Sequence, residues 1–317
     1  MSLAKTKVNE ISVKQFLQKK YEGNIENFQF IKGGQLSQAF SFGVANKEYI
    51  IKIRQDLEAL EKEKSIFERI SQHDSTIPVP QIYELGLFQE FKKSNLYYCI
   101  SEKCEGKILY SFDKKALAHF KKPLIEILYK IHQIDISDTS NFGLWIDMRQ
   151  APFLSWEAFL QDYISSKVDY LSDFFTGNSE ELGFIQQLEE EIRDLLYFCS
   201  EERHLIHGDY GAHNAVAIEP NKITGIIDWE LSKFGDFVYD VAWLDYWGYY
   251  DNQSYKDGYQ TIYESKNNQK IKNFEERLLC YKLCVGLHMS YFDCISGQLD
   301  AYKIGKKQIL SFTKQKI

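Results

Sequence analysis

Carboxylate and amide side chains lie close together in the segment His207–Asn214 and shortly beyond it. Asp209 follows a short apolar run and lies in a glycine-containing loop, where a rigid scaffold can present a reactive group. Asn214 follows five residues later, and Asp228 ends another apolar run 14 residues after Asn214. An anionic and a neutral oxygen donor at adjacent strand ends suit Mg²⁺, which takes few protein ligands. A carboxylate that deprotonates or orients a hydroxyl group beside such a metal predicts phosphoryl transfer.

The elements that must position these residues fall into two parts. Before residue 105, alternating or apolar runs predict strands at 40–44, 49–53, 81–88 and 96–101, with a hairpin turn at 45–48 and a helix over 57–70. After residue 110, helical spacing dominates at 123–134, 185–198 and 278–289, with short strands at 204–207 and 223–228. The pattern predicts an α+β fold, with a small β-rich lobe and hinge at 1–104 and a large, mainly helical lobe at 105–317.

Composition narrows the class of protein. The 317 residues carry a net charge of −7, which argues against a nucleic-acid partner and is compatible with a cationic one. The N-terminal segment lacks the apolar core of a signal peptide, and no apolar run reaches the length of a membrane span. The six cysteines lack the pairing of a zinc site and indicate reduced core residues. We expect a cytoplasmic protein without a membrane partner, as a monomer or weak dimer.

The segment from His207 to Asn214, with Ile226–Trp229, resembles the catalytic region of the aminoglycoside phosphotransferase and choline kinase superfamily, most nearly the hygromycin B phosphotransferases. The resemblance implies a bilobal, protein-kinase-like fold. It also implies Asp209 as the catalytic residue and Asn214 and Asp228 as the metal ligands. His207 and Asp240 are expected to hold the loop, and Gly235-Asp236 to support it. Further segments that carry the resemblance are 36–42, 98–101, 203–207 and 234–236.

The same resemblance implies a nucleotide site in the first hundred residues. Lys52 lies in an apolar strand, where a charge needs a partner, and in kinases such a lysine contacts phosphates and pairs with a glutamate of the next helix. Glu63 is the predicted partner and Glu61 the alternative. The remaining predicted contacts are Gly34 and Ser37 in a phosphate-covering loop, and the carbonyl of Glu102 and N–H of Cys104 for the base. Lys52 and the three downstream residues are expected to line one crevice.

The substrate is predicted to be a small hydroxylated molecule. Gly208 replaces an arginine that protein kinases carry, and only seven residues separate Asp228 from Asp236, which leaves no long activation segment. The predicted reaction transfers the γ-phosphoryl group of ATP or GTP, with Mg²⁺, to an aminoglycoside-like antibiotic. The alternatives are an endogenous amino sugar, an amino alcohol, a macrolide, or a nucleotide-binding sensor without activity. Candidate substrate contacts are Asp147, Glu157, Asp162, Glu230, Trp243 and Asp245.

Overall fold

The computed structural model describes residues 7–32, 37–89, 95–145, 149–251 and 254–313, without the side chains of residues 249–251. Contacts between residues divide the chain into two compact units. The first unit contains Met1–Ile108, Ala215–Ile218 and Lys222–Glu230. The second unit contains Leu109–Asn214, Glu219–Asn221 and Leu231–Ile317.

Helices and strands both occur, which confirms the predicted α+β class. The helices are α1 (Glu10–Lys20), α2 (Leu57–His73), α3 (Lys114–Ile131), α4 (Trp156–Phe174), α5 (Ser179–Leu196), α6 (Val238–Asp251), α7 (Lys256–Asn267), α8 (Phe274–Ile295) and α9 (Leu299–Thr313). The strands are β1 (Glu26–Ile31), β2 (Gln38–Val44), β3 (Lys47–Arg54), β4 (Ile82–Gln89), β5 (Leu96–Glu102), β6 (Lys107–Ile108), β7 (Gly143–Leu144), β8 (His204–Ile206), β9 (Ala215–Ile218), β10 (Lys222–Ile226) and β11 (Lys233–Gly235).

The first unit is built on an antiparallel sheet with the strand order β1-β2-β3-β5-β4. A tight turn joins β2 to β3, with Ala45 and Asn46 both at positive φ, as hairpin turns that match the strand twist require. Side chains alternate along β3, so Ile51 and Ile53 are buried in the core. The intervening Lys52 therefore points to the opposite face of the sheet, where it is available for chemistry.

A second small sheet in the first unit has the order β10-β9-β6. Gly106 precedes β6 at φ +106°, and a Cβ there would lie 2.1 Å from the carbonyl oxygen of Ala217. Only glycine fits this close approach of two backbones. Strand β10 ends two residues before Asp228, so this sheet fixes the position of the backbone at the predicted metal ligand.

The second unit is mainly helical, with α8 at its centre. Helices α4, α5, α6 and α9 all pack against α8, which confirms the buried helix predicted over 278–289. Among the described helices, α8 alone is long and apolar enough to cross a membrane by length and composition, and 61% of its apolar 18-residue stretch is buried. A central core helix meets the same criteria, and the packing assigns α8 to the core.

The helix predicted from Pro123 begins earlier than the sequence pattern indicated. Helix α3 begins at Lys114, and Asp113 caps it by accepting a hydrogen bond from the Ala116 N–H at 2.9 Å. Pro123 lies inside the helix, although proline removes one hydrogen bond there. Buried Leu117 and Phe120 anchor the first turns, so tertiary packing outweighs the local preference of proline.

Asp293 is a buried carboxyl near the end of α8, and burial raises its pKa from 3.8 to about 6. The pKa of Asp293 is higher in the folded state than in the unfolded state. Protonation of this carboxyl therefore stabilises the fold at low pH, and that stabilisation is lost as the pH rises through 6. We expect Asp293→Asn to raise the free energy of unfolding at pH 8 by about 1 to 3 kcal/mol. Urea unfolding should show this gain shrinking at pH 5. The control is Asp300→Asn, which changes an exposed carboxylate. If Asp293→Asn were no more stable than wild type at pH 8, the raised pKa of Asp293 would be contradicted.

Candidate active site

Lys52 and Glu63 form an ion pair in the first unit. The Lys52 Nζ donates to Glu63 Oε1 at 2.5 Å, so strand β3 is joined to helix α2. Glu61, the alternative partner, is exposed to solvent. Burial alone would lower the pKa of Lys52, but the charges of Glu63 and Asp228 outweigh burial and raise it. The structure therefore holds a charged lysine beside two carboxylates.

Asp228 follows strand β10 in an uncommon backbone conformation. Its φ is +66°, a region that residues other than glycine seldom occupy and that aspartate tolerates better than most. Its side chain is exposed. The conformation turns the chain directly after the strand and leaves the carboxylate accessible, which is the property that a metal ligand needs.

Glu230, a candidate substrate contact in the sequence, is paired with Arg54 in the first unit. Arg54 Nη1 donates to Glu230 Oε2 at 2.9 Å and Arg54 Nη2 donates to Oε1 at 3.0 Å. Both carboxylate oxygens are thus committed to one guanidinium group. The sequence pattern does not indicate this pairing, because Arg54 ends a strand that is recognised by its apolar residues, and a contact of Glu230 with substrate stays a prediction.

The loop His207–Asn214, here called the catalytic loop, lies in the second unit and is held by Asp240. The Asp240 carboxylate accepts hydrogen bonds from the N–H groups of His207 and Gly208, both at 2.7 Å, which confirms the expected supporting role. His132 Nε2 lies 3.2 Å from the same carboxylate. Burial would raise the pKa of Asp240, but these hydrogen bonds and nearby imidazoles lower it. The loop is therefore fixed by an ionised buried group.

Gly208 is required at its position in this loop. Its φ is +82°, and a Cβ there would lie 2.1 Å from the carbonyl oxygen of Leu231. No other residue fits without moving the backbone. The glycine that distinguishes this loop from that of protein kinases thus has a steric reason.

Asp209 is held by two side chains of its own loop. His213 Nε2 donates to Asp209 Oδ1 and Asn214 Nδ2 donates to Asp209 Oδ2, each at 2.9 Å. Burial would raise the pKa of Asp209, but the hydrogen bond from His213 and nearby imidazoles lower it. Asp209 is therefore a carboxylate at neutral pH. Because the Asn214 nitrogen is committed to Asp209, the Asn214 amide oxygen is the atom left for a cation.

His213 is a residue that the sequence interpretation passed over. Its only sequence signal is its position four residues after Asp209, within the segment His207–Asn214. We expect His213→Ala to lower kcat about tenfold, since it removes an orienting hydrogen bond to Asp209. The pKa of Asp209 should also rise, so the acid limb of the kcat/KM profile should move to higher pH. His213→Gln should restore part of both effects. An unchanged pH profile in His213→Ala would refute this role.

The roles of the other predicted site residues stay predictions. Ser37 is half-buried immediately before β2, and Glu102 ends β5. Cys104 lies two residues after the end of β5, where burial raises the pKa of its thiol to about 12. Gly34 lies outside the described residues, as does Asp147.

Several acids near the catalytic loop in sequence support the second unit rather than facing solvent. Asp236 accepts hydrogen bonds from Arg277 Nε at 2.9 Å and the Tyr281 hydroxyl at 2.6 Å, so its carboxylate holds α8. Asp245 accepts from Lys282 Nζ at 3.0 Å and from the Tyr255 N–H at 2.7 Å. Two other candidate substrate contacts, Glu157 and Asp162, are exposed on α4, and Trp243 is buried.

A family model described as a phosphotransferase enzyme family matches residues 27–272. The chain belongs to this family. Hygromycin-B 4-O-kinase of Escherichia coli is 26% identical to this phosphotransferase over 298 residues, which are 94% of this chain and 83% of the relative. The family predicted from the catalytic loop is thereby confirmed.

Solved structures confirm the fold of this phosphotransferase. A thermostable mutant of aminoglycoside phosphotransferase APH(4)-Ia, in ternary complex with AMP-PNP and hygromycin B, matches with a TM-score of 0.80 and 24% identity, over 96% of this chain and 98% of that one. The GDP complex of an aminoglycoside 2′-phosphotransferase-IIIa mutant matches with a TM-score of 0.68 and 12% identity, over 97% and 98%. The kinase-like fold predicted from the sequence is that of these enzymes.

Proposed function

We propose that this phosphotransferase transfers the γ-phosphoryl group of ATP or GTP to a hydroxyl group of an aminoglycoside-type substrate. The observation that carries the proposal is the ionised Asp209, oriented by His213 and Asn214 on a loop that Asp240 holds. Family membership and the similarity to hygromycin-B 4-O-kinase support the reaction type and the substrate class.

In this proposal Asp209 accepts a hydrogen bond from the substrate hydroxyl. The hydroxyl oxygen attacks the γ-phosphorus, the bond from that phosphorus to the β–γ bridging oxygen breaks, and the nucleoside diphosphate leaves. The transition state is loose, so the hydroxyl keeps its proton until late and Asp209 takes the proton as the new bond forms. Orientation of the hydroxyl is therefore as important as its deprotonation.

Lys52 would bind the nucleotide phosphates, with Glu63 holding its ammonium group in place. Ser37 and Gly34 would contact phosphate oxygens, and the backbone at Glu102 and Cys104 would bind the base. These roles follow from the family resemblance, and the Lys52–Glu63 ion pair supports the first of them.

The donor set fits Mg²⁺. Asn214 and Asp228 would offer one amide and one carboxylate oxygen, hard ligands of the kind this cation prefers, and Mg²⁺ keeps waters and phosphates in its remaining positions. The described residues contain no group of three or more His, Cys, Asp or Glu side chains arranged for a metal, so an all-protein cage has no support there. Bound Mg²⁺ would neutralise charge on the phosphates.

A screen with purified protein tests the function. ADP and GDP release should be measured with Mg²⁺ and a panel of acceptors, with product confirmed by mass spectrometry. Glu230 and Asp245 are both committed to cations, so the panel should include acceptors with few ammonium groups, amino sugars, amino alcohols and macrolides. Phosphorylation of an aminoglycoside supports the proposal. Nucleotide binding without transfer to any acceptor would instead identify a sensor.

A further inference from the structure

The backbone on both sides of Asp228 is held by hydrogen bonds within the first unit. Before Asp228, the Ile226 N–H donates to the carbonyl oxygen of Pro78 at 2.7 Å. After it, the Trp229 Nε1–H donates to the carbonyl oxygen of Ile226 at 3.0 Å. The exposed carboxylate of Asp228 is thus carried by a short, fixed turn.

Glu230 anchors the far end of this turn through both its side chain and its main chain. The guanidinium group of Arg54 binds the carboxylate with two N–H groups, at 2.9 and 3.0 Å. Lys62 Nζ donates to the Glu230 carbonyl oxygen at 2.9 Å. Two cations from different elements therefore fix one residue that lies two positions after Asp228.

These cations come from the same elements as the Lys52–Glu63 ion pair. Lys52 and Arg54 are two residues apart on β3, so their side chains share one face of the sheet. Lys62 and Glu63 are neighbours on α2. Strand β3 and helix α2 each contribute one side chain to the Lys52–Glu63 ion pair. Each also contributes one side chain that binds Glu230.

Stability alone does not account for Arg54. Its side chain is 5% exposed, yet its Nε–H has no hydrogen-bond partner among the described residues. An unpaired buried N–H is costly, and an apolar side chain of similar size would avoid that cost. What the arginine adds is a planar, two-point contact that fixes the orientation of Glu230.

We propose that Arg54 and Lys62 are positioning residues for Asp228: by holding Glu230, they fix the turn that presents the Asp228 carboxylate to Mg²⁺. This inference rests on the proposed function, because it takes Asp228 as a metal ligand. It predicts that disturbing Glu230, whose contacts here are with Arg54 and Lys62, weakens binding of the metal–nucleotide complex.

The test compares nucleotide affinity with and without Mg²⁺ by calorimetric titration of the full chain. In Lys62→Met and Glu230→Gln, affinity for the Mg²⁺–nucleotide complex should fall about tenfold. Affinity for the metal-free nucleotide should stay within about twofold, because Lys52 and Glu63 are unchanged. Arg54→Lys should lie between these variants and wild type, since lysine keeps the charge and loses the two-point contact. Lys64→Met, on an exposed position of α2, is the matched control and should bind like wild type.

Lys62→Met and Glu230→Gln could instead melt at lower temperatures while Mg²⁺ changes their nucleotide affinity as much as in wild type. That result would overturn the proposal and leave these residues a structural role. A wild-type affinity that does not respond to Mg²⁺ would overturn it as well, because Asp228 would then have no metal to bind. If Arg54→Lys does not fold, the other two variants still decide. A metal-dependent affinity without transfer to any acceptor would refute the proposed reaction alone, and the positioning test would remain valid.

Discussion

Asp209→Asn should lower kcat by about 10²- to 10⁴-fold, the range that a positioned general base contributes. The substituted side chain keeps the shape of Asp209 and can still accept a hydrogen bond from His213. It cannot take the proton of the acceptor hydroxyl, so the loss should fall on turnover rather than on nucleotide binding. Steady-state kinetics together with nucleotide titration measure both quantities.

The control for this experiment is Asp169→Asn, which removes an exposed carboxylate of α4 in the same unit and should leave kcat unchanged. A melting curve should show that Asp209→Asn is folded. If Asp209→Asn lost nucleotide affinity to the same extent as rate, Asp209 would not have the proposed role in the chemical step.

Asp228→Asn should weaken binding of the Mg²⁺–nucleotide complex by about a hundredfold, since it removes the proposed anionic metal ligand. Asparagine is the appropriate substitution because it tolerates the φ of +66° that Asp228 adopts, whereas alanine would add backbone strain. The effect should appear as a higher Mg²⁺ concentration for half-maximal activity and a higher KM for nucleotide.

The pKa of Lys52 should fall in the same variant, because the Asp228 charge helps to keep it high. Glu58→Gln, at an exposed position of α2, provides the control. An Asp228→Asn protein with the Mg²⁺ dependence of wild type would remove Asp228 from the metal site.

Local patterns were enough to predict most of the elements that carry the site. The apolar alternation around Lys52 located β3, and helical spacing from Glu63 to Phe67 placed Glu63 on the buried side of α2, where the ion pair forms. The catalytic loop was predictable because its residue types and spacing are set by chemistry rather than by packing.

Long-range pairing was the part that sequence patterns could not supply. Arg54 and Glu230 are 176 residues apart, and neither has a local signal for the other. The sequence therefore indicates Glu230 only as a candidate substrate contact and not as the partner of Arg54. The positive φ of Asp228 and the hydrogen bond from His213 to Asp209 are likewise properties of the folded backbone. Pro123 was misleading for the opposite reason, because its strong local preference is overridden by the packing of α3.

The most direct test of the proposed function is transfer of the γ-phosphoryl group from labelled ATP or GTP to hygromycin B and other aminoglycosides, followed in wild type and in Asp209→Asn. We expect a phosphorylated aminoglycoside with wild type, and product formed at least about a hundredfold more slowly with Asp209→Asn despite retained nucleotide binding. Product formed equally by both proteins, or nucleotide bound by wild type with no acceptor ever phosphorylated, would contradict it.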